Sequence, residues 1–420
     1  MAVFYRRLIS VGLAKAISLP LGFVTSVLLA RFMGPEVFGR YVFAFTVLSL
    51  LALPAGSSLG QFVMREVARA ADGNDDALLK GFISRCWQWI GVSSILILLC
   101  VVVVTSVSGS HLILAGCLII PLMAAVTLVS EILRGRGLLS FSQWPDLVLR
   151  PFLFLGLVAI IGSAGLISPE AALWAYSSAL FATLLAMQWI LVKRVTSGLK
   201  AVPRAYDDTA WAKAIPWFFF ISVTGALLSQ MPIVITGILG LPPAQISALQ
   251  LALSFSLLVG IPMVVVNLVM GPELAQLLIK KSKSEALRLS SKMTQIGLLV
   301  SSPLCIVIGF YPDQIVGAVY GIDFIYASSA IVFLAFSSWL NTAFGPISYL
   351  LTLSGYERQA LTGQVIGLLL MIFIVVLMAT KYGAVGSVSG VFAGTLVRNV
   401  VLSFLSRKYL GAPWSLLIFK

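Results

Sequence analysis

The chain has 420 residues, 60% hydrophobic and only 10% charged, with 28 Lys and Arg against 15 Asp and Glu and a net charge of +13. A soluble domain carries about a quarter charged residues, so charges this sparse cannot cover an aqueous surface, and lipid must face most of the exterior. The positive balance does not point to nucleic acid, because the basic residues are spread through short segments between apolar runs, the pattern that sets membrane orientation.

A spanning helix needs roughly 20 mainly apolar residues. Runs of suitable length occupy approximately 8–33, 41–63, 87–107, 111–133, 147–167, 171–193, 214–239, 247–270, 293–311, 324–351, 359–380 and 384–405. The expected fold is therefore all-α, a polytopic membrane protein of about 12 transmembrane helices. No stretch alternates with period two as a barrel strand would. The first run follows Arg6 and Arg7 and is longer than the apolar core of a signal peptide, so it is expected to be an uncleaved first span.

Charge tests this count. With a cytoplasmic N-terminus, the inward segments hold Arg6 and Arg7, then Arg65, Arg69, Lys80 and Arg85, then Arg134, Arg136 and Arg150. They continue with Lys193, Arg194, Lys200, Arg204 and Lys213, with Lys280, Lys281, Lys283, Arg288 and Lys292, and with Arg358, Arg407, Lys408 and Lys420, making 23 of the 28. Only Arg31, Arg40 and Lys381 fall outward, while Lys15 and Arg398 lie inside spans. A wrong helix count in the middle would scramble this alternation, so the bias supports twelve spans with both termini in the cytoplasm. The longest connection, about 25 residues, is too short for a folded extramembrane domain.

A faint internal repeat aligns LLARFMGPEVFGRYVFAFTVLSLLALP (28–54) with VITGILGLPPAQISALQLALSFSLLVGIP (234–262), matching Gly34 to Gly240 and Pro54 to Pro262. The chain thus reads as two six-helix lobes, 1–200 and 201–420, joined by the basic loop around 194–213. An even number of spans per half makes the repeat parallel, about an axis along the membrane normal, as in transporters. Prolines 20, 54, 121, 216, 232, 262, 303 and 346 fall within spans and can bend them. The cysteines and the single histidine, His111, match no metal or redox motif, and no cofactor is expected.

The segment SVLLARFMGPEVFGRYVFAFTVLSLL, with LARFMGPEVFGRY at its core, resembles the N-terminal signature of the polysaccharide (O-antigen) flippases. That family belongs to the superfamily that also holds multidrug exporters. QFVMREVAR (61–69) and LRGRG (133–137) carry the resemblance further. It implies movement of a polyprenyl-pyrophosphate-linked oligosaccharide to the outer face of the bacterial inner membrane. The partners it implies are that lipid-linked oligosaccharide, membrane lipid, and polysaccharide polymerase and chain-length enzymes.

Candidate site residues follow from the charges that obey neither side. A charge at the bilayer centre costs roughly 2.5–3.5 kcal/mol and normally faces a wet cavity or a partner. Lys15 and Arg398 are candidates to bind a pyrophosphate from a central cavity, Arg by a bidentate fork and Lys as a point charge. Snorkelling to the interface is the alternative for both. Arg31, at the outer end of helix 1, is either an interface anchor or a phosphate contact. Glu131, spaced i,i+3 from Arg134, is either its ion-pair partner or a weaker candidate for a coupling ion. Gln230, Asn267, Asn341 and Asn399 offer hydrogen bonds to sugars or to neighbouring helices. All other carboxylates are expected in loops, with Asp146 at the inner edge, which argues against an exporter of cations. Trp87, Trp89, Trp144, Trp174, Trp189, Trp211, Trp217 and Trp414 are expected in the interfacial belt.

Overall fold

The structure, a computed structural model, describes residues 2–73, 75–108, 111–199, 201–279 and 282–411. Trp414, Lys280, Lys281, Lys200 and Lys420 lie outside the described residues. No strand occurs among the described residues; the elements are helices throughout.

In chain order these are α1 (Ala2–Ala55), α2 (Gly60–Asp72), α3 (Asp76–Ser108), α4 (His111–Ala115), α5 (Ile119–Gly135), α6 (Leu139–Trp144), α7 (Arg150–Ser163) and α8 (Pro169–Arg194). They continue with α9 (Asp208–Ile238), α10 (Pro243–Ile279), α11 (Lys283–Phe310), α12 (Pro312–Val319), α13 (Ser328–Phe344), α14 (Ile347–Leu353) and α15 (Glu357–Leu410). Ten stretches among the described residues are long and apolar enough to cross a membrane, and the chain is a multi-pass membrane protein.

The two longest helices are each broken by one glycine. Gly34 (φ 71°, ψ 171°) interrupts α1 and Gly383 (φ 58°, ψ −134°) interrupts α15. A Cβ disfavours such angles, so glycine is the residue that can turn the chain there. Both fall where two separate apolar runs were expected to meet. Gly240, aligned with Gly34 in the sequence repeat, also has positive φ, at 72°.

The halves of α15 fold back on one another along a ridge of small residues. Gly386, Gly390 and Gly394 recur every four residues, and a Cβ added at Gly394 would lie 2.6 Å from the Gly367 carbonyl oxygen. In lipid, where apolar burial gives little drive between helices, such close backbone approach is what packs them. The turn is tied down by Gln245, whose Oε1 accepts a 2.8 Å hydrogen bond from the Ala384 N–H freed at the break.

The chain forms two compact units, Met1–Met33 with Arg40–Gln230, and Gly34–Gly39 with Met231–Lys420. In the first, α5 packs against α2 and α8, and α7 against α8. The beginning of α9 belongs to this unit because Trp211, 1% exposed, packs edge-on against Phe82 and Trp89. Trp211 is therefore a core residue rather than part of an interfacial belt. In the second unit α10 packs against α11 and α13, and α13 against α15. Gly39 joins this unit because its backbone lies directly against Pro243.

The second expected span runs short of its predicted end. Helix α1 stops at Ala55, Gly56 turns with φ 133°, and the amphipathic α2 follows. Hydroxyls satisfy the carbonyls this break releases: Ser57 donates to Ala52 O (2.7 Å), Ser58 to Leu53 O (2.8 Å) and Ser93 to Ala55 O (2.9 Å). An unsatisfied carbonyl would cost several kcal/mol in hydrocarbon, so these serines make the break tolerable.

Candidate functional site

The second unit contains a polar cavity of about 200 Å³ where the tenth expected span is discontinuous. Helix α13 ends at Gly345 (φ 83°), Pro346 follows, and α14 resumes at Ile347. Proline has no N–H to continue the ladder, so the expected kink at Pro346 becomes a full interruption. Broken helices at membrane depth are tolerated where they line a cavity, and this break does so through Gly345 and Pro346.

Arg398 is placed there by the glycine ridge. It continues the four-residue spacing of 386, 390 and 394, and a Cβ added at Gly367 would lie 2.7 Å from the Arg398 Cβ. Its Nη2 donates a 2.8 Å hydrogen bond to Asn341 Oδ1, which also accepts from Asn399 Nδ2 at 2.9 Å. Asn267 and Gln364 also line the cavity, and Asn267 Oδ1 is buried with no partner among the described residues. No carboxylate among the described residues pairs with Arg398. The cavity therefore holds one fixed positive charge amid amides, suited to an anion flanked by hydroxyl groups.

Three of the four uncharged polar candidates, Asn267, Asn341 and Asn399, come together around Arg398, whereas Gln230 does not line this cavity. Gln364 and Ser348 also line it, and nothing in their spacing set them apart from ordinary helix-surface residues. Lys15 is half-buried on α1, in the first unit, with no hydrogen-bond or ion-pair partner among the described residues. Arg31 is exposed, three residues before the Gly34 break. Glu131 pairs with Arg134 at 3.2 Å and packs on Gly60 at the start of α2.

The first unit also holds a charged cluster around Asp146, which was expected at the inner edge of the fifth span. Helix α6 begins at Leu139, and a π-helical turn, Pro145–Leu149, carries it into α7. The candidate span is Leu139–Ser163, so Asp146 and Arg150 lie within it and not at its edge. Arg150 Nη2 stands 3.2 Å from Asp146 Oδ1, and Nη1 donates to the Tyr176 hydroxyl at 3.1 Å. Tyr176 is itself wedged edge-on between Phe45 and Phe154, at 4.8 and 5.1 Å between ring centroids. The i,i+4 spacing of opposite charges flanked by apolar residues was the available signal. It was obscured because Ser140, Ser142 and Gln143 make the first turns of this span read as a loop.

Comparison with known proteins matches this architecture. No sequence among the curated proteins matches the chain. Over 95% of its length it superimposes with a TM-score of 0.73 on 98% of an inward-facing multidrug resistance MATE family transporter of the MOP superfamily, at 16% identity. The lipid II flippase MurJ in an inward closed conformation gives 0.72 at 17% identity, over 95% of this chain and 87% of that one. A mutant of the Vibrio cholerae MATE transporter VcmN gives 0.65 at 13% identity, covering 97% of each chain. The fold is thus that of the MOP-superfamily transporters. Residues 4–229, more than half of the chain, match the model of the polysaccharide biosynthesis protein family, and the chain belongs to that family.

Proposed function

We propose that this protein is a flippase that moves a polyprenyl-pyrophosphate-linked oligosaccharide across the bacterial inner membrane for O-antigen or other surface polysaccharide synthesis. Its family membership and its flippase-like transporter fold support transport of a lipid-linked substrate. The observation that carries the reading is Arg398, a guanidinium within an apolar span that donates to the amide of Asn341 and meets no carboxylate among the described residues. A half-buried cation within a span and without a carboxylate calls for an anionic ligand, and a pyrophosphate head group supplies one.

In this reading Arg398 and Lys15 capture the head group, Arg31 contacts it near release, and the polyprenyl tail stays in lipid. Alternating access moves two six-helix lobes, 1–200 and 201–420. The breaks at Gly34 and Gly383 divide the two longest helices so that the chain crosses twelve times, with both termini cytoplasmic. Glu131 is the weaker candidate for a coupling ion, since Arg134 already neutralises it. Polysaccharide polymerase and chain-length enzymes are the implied partners.

A multidrug exporter is the second reading, favoured by the MATE likeness and by Asp146 lying inside a span. Arg150 stands against Asp146, however, which leaves that carboxylate poorly suited to an organic cation. Replacing Lys15 and Arg398 together by Gln at matched protein level tests the assignment. Loss of surface polysaccharide is expected, and unchanged polysaccharide overturns it.

A further inference from the structure

A second cavity, of about 590 Å³, lies in the first unit between the charged beginning of α3 and the segment that follows α8. Lys80, Ser84, Trp87 and Gln88 line it from α3, and Thr196 and Arg204 from the segment. Its walls are fixed. Lys80 Nζ donates to Val202 O at 2.7 Å, Ala205 N–H donates to Ala77 O at 3.0 Å, and Arg85 Nε donates to Asp208 Oδ1 at 2.9 Å. Gly81 lets the segment approach so closely that any side chain there would collide with the Ala205 carbonyl.

The lining carries two cations, Lys80 and Arg204, and no carboxylate among the described residues. Of the neighbouring acids, Asp208 is engaged by Arg85, Asp75 by the Leu78 N–H, and Asp207 by Thr209 and the Ala210 N–H, while Asp76, one turn before Lys80 on α3, lies outside the lining. By contrast, neither the Arg204 guanidinium nor the Trp87 indole N–H has a partner among the described residues. One to three turns further along α3, on the face of Ser84 and Gln88, Val92, Ile95 and Leu99 are exposed by 61%, 59% and 58%. Residues at i+3, i+4 and i+7 share a helix face, so the cavity leads onto a lipid-facing strip.

We propose that this cavity binds the phosphate of an anionic glycerophospholipid at the membrane surface, with its acyl chains lying along α3. Arg204 and the Trp87 N–H supply the unspent donors, and Lys80 adds charge at the rim. Two cations without an acid disfavour a head group that carries an ammonium, so a net-negative lipid is selected over a zwitterionic one. The site is independent of the flippase reading and does not involve Arg398 or Lys15.

The test uses the purified full chain in detergent, titrated with short-chain phosphatidylglycerol, phosphatidylcholine or inorganic phosphate, with thermal unfolding and native mass spectrometry as readouts. Phosphatidylglycerol is expected to bind and stabilise, with Arg204→Gln weakening it by about fivefold, the worth of one basic residue near an anionic lipid surface. Trp87→Phe, which removes the N–H together with part of the indole ring, is expected to weaken it less, and Arg136→Gln, outside the cavity, not at all. Should Arg204→Gln fail to fold, Arg204→Lys is expected to retain the preference for phosphatidylglycerol in weakened form. Equal binding of the two lipids, or equal losses from Arg204→Gln and Arg136→Gln, overturns the proposal. Inorganic phosphate binding as tightly as phosphatidylglycerol would assign the site to a soluble anion and overturn the lipid.

Discussion

Arg398 meets Asn341, not a carboxylate: the guanidinium donates at 2.8 Å to an amide oxygen that Asn399 also uses. An amide holds the side chain in place without cancelling its charge, so the cavity stays electropositive while its donor is oriented.

Asn341→Asp converts this contact into an ion pair and removes the net charge. We expect surface polysaccharide to fall about as far as with Arg398→Gln, roughly tenfold or more if one charge-assisted contact of about 1.5–3 kcal/mol is lost. Thermal stability should hold or rise, because the charge becomes paired. Polysaccharide gels at matched protein level, alongside unfolding curves, separate the two effects.

Gly394→Leu tests the ridge that positions Arg398. The added side chain would run into the Gly367 backbone. Overpacking of this kind costs about 1–3 kcal/mol, read as a lowered unfolding midpoint. Gly156→Leu, where a Cβ meets nothing within 4 Å, should leave the midpoint almost unchanged.

Asp146 and Arg150 should behave as a unit. Either Asp146→Asn or Arg150→Met alone leaves a charge in the span without its partner, and each is expected to destabilise more than the double substitution. A double-mutant cycle on unfolding free energy should give a coupling of about 0.5–3 kcal/mol. Additive losses would show that the 3.2 Å approach carries no energy.

Orientation is checked by cysteine labelling in a background without Cys86, Cys100, Cys117 and Cys305. Asp313→Cys should react with an impermeant reagent added outside the cell, and Ser197→Cys only after the membrane is opened. The reverse pattern would invert the assigned topology.

Much of this architecture is readable from charge and hydropathy, because lipid penalises polar backbone and stray charge over whole segments. The turns at Gly34 and Gly383 fall in the gaps between apolar runs, and Arg398 stood out because it obeyed neither side. Features that depend on which neighbour a face meets were not readable. Trp211 has the same local sequence character whether it faces headgroups or Phe82, and only packing decides. Asp146 was expected at the edge of the fifth span and not within it, because an apolar run marks the minimum length of a helix, while polar residues matched by partners extend it. Pro346 marked a bend, but the cavity beside it needed Asn267, Gln364 and Arg398 from three separate stretches of chain.

The most direct measurement is transport in vesicles. Purified protein is reconstituted with a polyprenyl-pyrophosphate-linked oligosaccharide, and the fraction of head groups open to an impermeant glycosidase is followed. The expected result is that the wild-type chain exposes head groups that stay protected in protein-free vesicles, and that Lys15→Gln with Arg398→Gln returns the fraction to the protein-free level. Equal protection with and without the wild-type chain would contradict the flippase assignment, and full exposure by the double variant would contradict the role of its two cations.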